Sequence, residues 1–157
     1  MDSKSVVASF LKYWSVQDLE MALEHLHPKI VYTLHNGPDA RPFSGSYHGI
    51  DACRDLGYTV LAEFDYLRYE PTILSAAGST VQVHVVSRIR HRATAHVIEG
   101  SQRSVFQVHN GLITCIDIFE DARRIEAFMR LTTQRMANDM SPAVPALMRR
   151  EKHGSGR

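Results

Sequence analysis

Glu120 closes the run Ile116-Asp117-Ile118-Phe119-Glu120 and shares strand parity with Ile116 and Ile118. A carboxyl set among apolar side chains loses hydration, its pKa rises toward neutrality, and it can take up and return a proton. The plain alternative is a solvated acid at the start of the next helix, where negative charge is favourable in any case. Arg103 has the parity of Val105 and Gln107 on the preceding strand, so it could pair with Glu120 or hold an anionic or carbonyl-bearing ligand; as a surface residue it would do neither. His35 ends an earlier strand, and an imidazole carries protons near neutral pH, though partly exposed strand-end histidines are common without that role. Tyr32 could donate its hydroxyl into a cavity, although most tyrosines simply pack. The expected catalytic residues are thus Glu120 and His35. The expected substrate-binding residues are Arg103, Gln107, Tyr32, Phe10, Val85, Ser87, Ile116 and Ile118.

Metal chemistry is not expected. The chain has nine histidines, but only His25 and His27 stand close together, no pair has helical i, i+4 spacing, and no carboxylate sits at ligand distance in sequence. Cys53 and Cys115 lack metal-type spacing and fit reduced thiols. No cofactor motif is present, so the expected chemistry is cofactor-free acid and base work on a small molecule.

The charge balance excludes other partners. With 18 basic and 17 acidic residues, a net charge of +1 and no long run of one sign, neither nucleic acid nor an anionic membrane is an expected partner. No segment is apolar enough to span a bilayer, and Met1–Ser5 lack the features of a secretory signal, so a cytoplasmic protein is expected. At 157 residues and 44% hydrophobic content the chain can bury one sizeable core.

The elements that must position these residues centre on a hairpin. Ser104–Val108 and Leu112–Phe119 are rich in β-branched and aromatic residues, and His109-Asn110-Gly111 between them supplies the positive-φ residues of a tight turn. Asp121 then caps a helix over Ala122–Ala137 with Ile125, Phe128 and Met129 on one face. Upstream, Ser3 or Ser5 opens a helix carrying Val6, Val7, Phe10, Leu11 and Trp14. A second helix, with Leu19, Ala22, Leu23 and Leu26, is expected to stop at Pro28. A strand from Ile30 to about His35, a loop over Asn36–Gly49 and a helix over Asp51–Asp65 follow. Strands are expected over Tyr66–Ser75, Val81–Arg92 and His96–Val108, with Val81, Val83, Val85, Ser87 and Ile89 facing inward. Three helices, consecutive strands and a last helix argue for an α+β domain over residues 1–137: helices packed on one face of a curved antiparallel sheet. Residues 138–157, with prolines and a charged end, read as a mobile tail.

Val105-Phe-Gln-Val-His-Asn-Gly-Leu-Ile-Thr114 with Ile118-Phe-Glu-Asp121, and Phe43-Ser-Gly-Ser-Tyr-His-Gly49 ahead of a helix, resemble motifs of the nuclear transport factor 2-like superfamily. That group includes SnoaL-like cyclases, ketosteroid isomerases and limonene epoxide hydrolases. The resemblance spans about Val6 to Leu131. It implies a cystatin-like roll, a cone whose helices and curved sheet enclose a pocket, with the outer sheet face pairing in a homodimer. The family's catalytic sets are not kept. The isomerase positions fall on Phe10, on Leu34 or His35, and on Arg103, and the hydrolase positions fall on Val85, Ser87 and Ile118. The reading is therefore a small-molecule-binding SnoaL-like protein acting as isomerase, cyclase or hydrolase, with a non-catalytic binding or dimerisation module as the alternative. Parity places Val86, Phe106, Val108, Ile113, Cys115 and Phe119 on the dimerising outer face.

Overall fold

The computed structural model describes residues 1–139, so the expectation for the segment after Asp139 lies outside the described residues. The element order is α1 (Ser3–Ser15), α2 (Leu19–Leu23), β1 (Leu26–Leu34), a 3₁₀ turn (Pro38–Ala40), β2 (Gly45–His48), α3 (Ile50–Glu63), β3 (Phe64–Ala77), β4 (Thr80–His91), β5 (Val97–His109), β6 (Leu112–Phe119) and α4 (Ala122–Asp139). The six strands form one curved, unclosed sheet in the order β2-β1-β6-β5-β4-β3. The β1–β6 pair is parallel and the other pairs are antiparallel. The fold class is α+β.

Local signals account for most elements. The β5–β6 turn has Asn110 at φ 50° and Gly111 at φ 78°, the left-handed pair a two-residue turn needs to match strand twist. The Asp121 carboxylate accepts from Arg124 N at 3.3 Å and caps α4. At α1 the cap is Asp2, whose carboxylate accepts from Ser5 N at 2.7 Å, rather than Ser3 or Ser5. The second helix ends at Leu23, five residues before Pro28, which instead lies inside β1. The β1–β6 register shifts between Leu26 and Val31, and such an irregularity is where a strand tolerates a residue with no N–H. The Asn36–Gly49 segment is not all loop, since Gly45–His48 pair with Val31–Leu34 as β2. The third helix stops at Glu63, and Asp65 belongs to β3.

One face of the sheet packs against α1, α2 and α3. Val6, Val7 and Leu11 of α1 and Leu19 and Leu23 of α2 join Val81, Val83, Val85, Phe106, Val108, Ile113, Ile116 and Ile118 in the larger apolar cluster. A smaller cluster forms where α4 closes one end: Ile125, Phe128 and Met129 meet Phe43, Phe64, Ile89 and Ile98. Phe106, Val108 and Ile113 are therefore interior residues, not part of the outer face. Phe106 is 2% exposed, and burial of an aromatic ring in such a core is worth about 3–5 kcal/mol against alanine.

A β-bulge explains the reversal. Without it the turn would set Val105 opposite Ile116. In the structure Thr114 is an extra residue between the Val108–Ile113 and Gln107–Cys115 pairs, so Phe106 faces Ile116 and Ser104 faces Ile118. Because side chains alternate with period two, one inserted residue exchanges the faces of everything upstream relative to Ile116 and Ile118. A second bulge, at Leu67 between Tyr66 and Arg68, leaves Leu67 43% exposed and brings Tyr66 and Tyr69 onto the inner face. Among the described residues no helix is long and apolar enough to cross a membrane.

Candidate functional site

Leu56 packs against both apolar clusters, and the space between them is a cavity of about 320 Å³. That is room for a small organic ligand. Its wall takes Phe10 and Trp14 from α1, Tyr32 from β1, Phe43 from the loop before β2, Tyr66 and Tyr69 from β3, Ser87 and Ile89 from β4, Gln102, Ser104 and Phe106 from β5, and Ile116 and Ile118 from β6. Glu99, Ser101, Asp121 and Arg124 also border it and are exposed, so they form its rim; Glu99 is ion-paired with Arg88 at 3.3 Å.

Glu120 is the carboxyl set deeper in this wall, in the link between β6 and α4. Burial pushes its pKa up to about 6, while a hydrogen bond from Asn36 acts in the opposite direction. Asn36 Nδ2 donates to Glu120 Oε1 at 3.1 Å and to the Phe43 carbonyl at 2.6 Å. The hydroxyls of Tyr32, Tyr66 and Tyr69 belong to the same neighbourhood. Burial first, and then mutual charge repulsion that includes Glu120, holds all three well above the usual phenol range. They are thus neutral hydrogen-bond donors at any physiological pH. Among the described residues no protein group hydrogen-bonds these three hydroxyls. By contrast Tyr47 donates to the Ser44 carbonyl at 2.8 Å and Tyr58 to Glu20 at 2.9 Å. Buried tyrosine hydroxyls normally find a partner, so three donors left open on one cavity are groups available to a ligand.

The structure places Glu120, Tyr32, Phe10, Ser87, Ile116 and Ile118 on the cavity and removes four other expected residues from it. Arg103 and Gln107 lie on the outer face because the Thr114 bulge reverses the parity of β5. Arg103 is exposed, and Gln107 accepts from Thr80 Oγ1 at 3.0 Å. His35 also points outward. Its Nε2 meets Asp117 Oδ1 at 2.8 Å and its ring stacks on Phe119 with centroids 4.4 Å apart. Val85 is fully buried in the helix-packed core and does not reach the cavity. The polar groups that sequence reasoning missed are Tyr66, Tyr69, Asn36, Gln102 and Ser104. Tyr66 and Tyr69 are three apart, which strand parity assigns to opposite faces, and only the Leu67 bulge reconciles them.

Burial raises the thiols of Cys53, on the cavity wall, and Cys115, on the outer face, to about 11, so both are protonated and poor nucleophiles near neutrality. Among the described residues no group of three or more His, Cys, Asp or Glu could hold a metal ion.

The sequence model of the SnoaL-like domain family matches residues 7–116. No curated protein matches the chain in sequence. Solved structures with the same fold include an NTF2-like protein of Burkholderia thailandensis, 22% identical, covering 82% of this chain and 98% of that one with a TM-score of 0.71. A protein of unknown function with a cystatin-like fold from Xanthomonas campestris is 14% identical, with 82% and 98% coverage and a TM-score of 0.69. A candidate polyketide cyclase from the same species is 14% identical, with 81% and 96% coverage and a TM-score of 0.66.

Proposed function

The chain belongs to the SnoaL-like domain family, and on that premise we propose that its cavity binds a small, largely apolar carbonyl compound and rearranges it by proton transfer, as an isomerase or a ring-closing cyclase. The observation that carries this reading is the joint presence, on one apolar cavity, of a carboxyl with pKa about 6 and three tyrosine hydroxyls that no other described residue hydrogen-bonds. Each part has a role. Ionised Glu120 removes a proton from carbon next to the carbonyl, and a base with pKa near the working pH is suited to that step. Negative charge then develops on the carbonyl oxygen, where tyrosine hydroxyls donate to it; one such donor is typically worth about 10²–10³ in rate. Protonated Glu120 returns the proton at another carbon, which is isomerisation, or to the oxygen of a second carbonyl attacked by the enolate, which is ring closure. No external oxidant or reductant is needed. A candidate polyketide cyclase among the structural neighbours supports the ring-closing branch as an analogy of fold.

Trp14 is the chain's one tryptophan and lines the cavity, so its fluorescence reports binding directly. A panel of enolisable ketones and polyketone analogues should quench it, and those that bind should turn over in wild type but not in Glu120→Gln. Binding without turnover would favour the alternative, a non-catalytic carrier. That reading draws support from Ser87, Gln102, Ser104 and the tyrosines, which are neutral groups sufficient for recognition alone.

For quaternary structure the reading is a homodimer through the outer sheet face, carried by Val86, Cys115 and Phe119 rather than by the residues now placed in the core. Phe119 is 45% exposed there. Two unpaired cysteines fit a cytoplasmic location.

A further inference from the structure

Asn36 occupies an unusual position between the chain's backbone and its candidate acid. The end of β1 is fixed beside β6 by His35 N donating to the Ile118 carbonyl at 3.0 Å, and Asn36 N turns back onto the Leu34 carbonyl at 2.9 Å. From there the side-chain amide gives its two hydrogens to two acceptors, Phe43 O at 2.6 Å and Glu120 Oε1 at 3.1 Å. A carbonyl oxygen can only accept, so flipping the amide would set oxygen against oxygen at Phe43 and again at ionised Glu120. The amide therefore has one orientation. Its own Oδ1 is the cost of that choice: it is buried and, among the described residues, has no hydrogen-bond partner.

We propose that Asn36 is the positioning residue of Glu120: its amide occupies Oε1 as an acceptor and so leaves Oε2 as the one oxygen on which the transferable proton resides. The proposal rests on reading Glu120 as the proton-transferring group, and it adds which oxygen works and what holds it. A carboxyl free to rotate would present either oxygen in either protonation state. Here rotation breaks a hydrogen bond whose donor is itself anchored to backbone, so the acid is oriented before a ligand arrives. The same bond favours the ionised form and opposes the effect of burial. Among the described residues, the other charged or titratable groups on the cavity with Glu120 are Tyr32 from β1, Cys53 from α3, Tyr66 and Tyr69 from β3, Glu99 from β5, and Asp121 and Arg124 at the start of α4. The tyrosines stay neutral where Glu120 titrates, and Glu99 is tied to Arg88.

The test is a carbon-13 titration of the Glu120 carboxyl together with the nitrogen-15 side-chain amide signal of Asn36. In wild type the Asn36 amide signal should move with the same midpoint as Glu120, a result that requires no variant. In Asn36→Ala the Glu120 midpoint should rise by roughly one pH unit, and in the isosteric Asn36→Asp by more, because a second carboxylate opposes ionisation. The acidic limb of the turnover profile should move by the same amount while ligand affinity stays within about threefold. A flat Asn36 amide signal across the Glu120 titration, or an unchanged Glu120 midpoint in folded Asn36→Ala, overturns the proposal. Both spectroscopic readouts are made without substrate, so they stand or fall separately from the proton-transfer reading, which turnover of Glu120→Gln decides.

Discussion

Replacing Glu120 with glutamine should stabilise the protein near neutral pH and leave it nearly unchanged in acid. Burial raises this carboxyl from 4.5 to about 6 in the folded state. Between those values the native protein holds a proton that the unfolded chain has released. Stability from this group is therefore complete below about pH 4.5 and is lost as pH rises through 6. At about 1.4 kcal/mol per tenfold change, the full effect is about 2 kcal/mol. Because the side chain opens on a cavity rather than on packed core, about 1–2 kcal/mol is the expected range. Glutamine has the same shape, stays neutral at every pH, and still offers Oε1 to Asn36. Urea denaturation of wild type and Glu120→Gln at pH 4.2 and pH 7.5 isolates the group, since all other titrations cancel in the difference. The variant should gain about 1–2 kcal/mol at pH 7.5, about 2–8 °C in Tm for a domain of this size, and almost nothing at pH 4.2. An equal difference at both pH values, or a less stable variant at pH 7.5, would refute the claim that a charge is held there against its solvation.

Three further outcomes follow from the packing. At Gly57 of α3 an added Cβ would lie 2.7 Å from Leu19 Cδ1 and 2.8 Å from Cδ2, so Gly57→Ala should lose about 1 kcal/mol, overpacking of about 1–3 kcal/mol outweighing a helix gain of about 1. Thermal denaturation reads the loss, and pairing the change with Leu19→Ala should shrink it. Arg103→Ala should change stability by less than about 0.5 kcal/mol and leave ligand quenching of Trp14 unaltered, because the side chain is exposed on the sheet face opposite the cavity. Phe119→Asp should convert a dimer to monomer in equilibrium sedimentation while preserving ligand binding; a wild-type monomer at micromolar concentration removes the outer-face dimer.

The sequence carried the hairpin, the last helix and the inward face of β4 because each has a local cause: Asn110-Gly111 for the turn, Asp121 for the cap, and strict alternation from Val81 to Ile89. It carried Glu120 to the right wall because no irregularity separates that residue from Ile116 and Ile118. It could not place Arg103 or Gln107, since Thr114 is an ordinary strand residue and nothing in its type announces a bulge, yet that one insertion exchanges two faces of the sheet. The Tyr66–Tyr69 pair was hidden by the same physics in reverse, with Leu67 as the extra residue. Pro28 marked a helix end by its chemistry, but an irregular strand accepts a proline equally well. Asn36 was illegible for another reason. Its importance lies in two acceptors, Phe43 O seven residues on in the same loop and Glu120 Oε1 at the far end of the chain's strands, and no periodic spacing connects them.

Carbon-bound deuterium incorporation detects proton transfer by Glu120 without knowledge of the product. Enolisable ketones that quench Trp14 are incubated with the protein in D₂O and followed by proton NMR. Wild type should exchange the hydrogens next to the carbonyl well above the buffer rate. Glu120→Gln should reduce that exchange by about a hundredfold or more while binding the ketone within about tenfold of wild type. Exchange by Glu120→Gln at the wild-type rate would contradict the account.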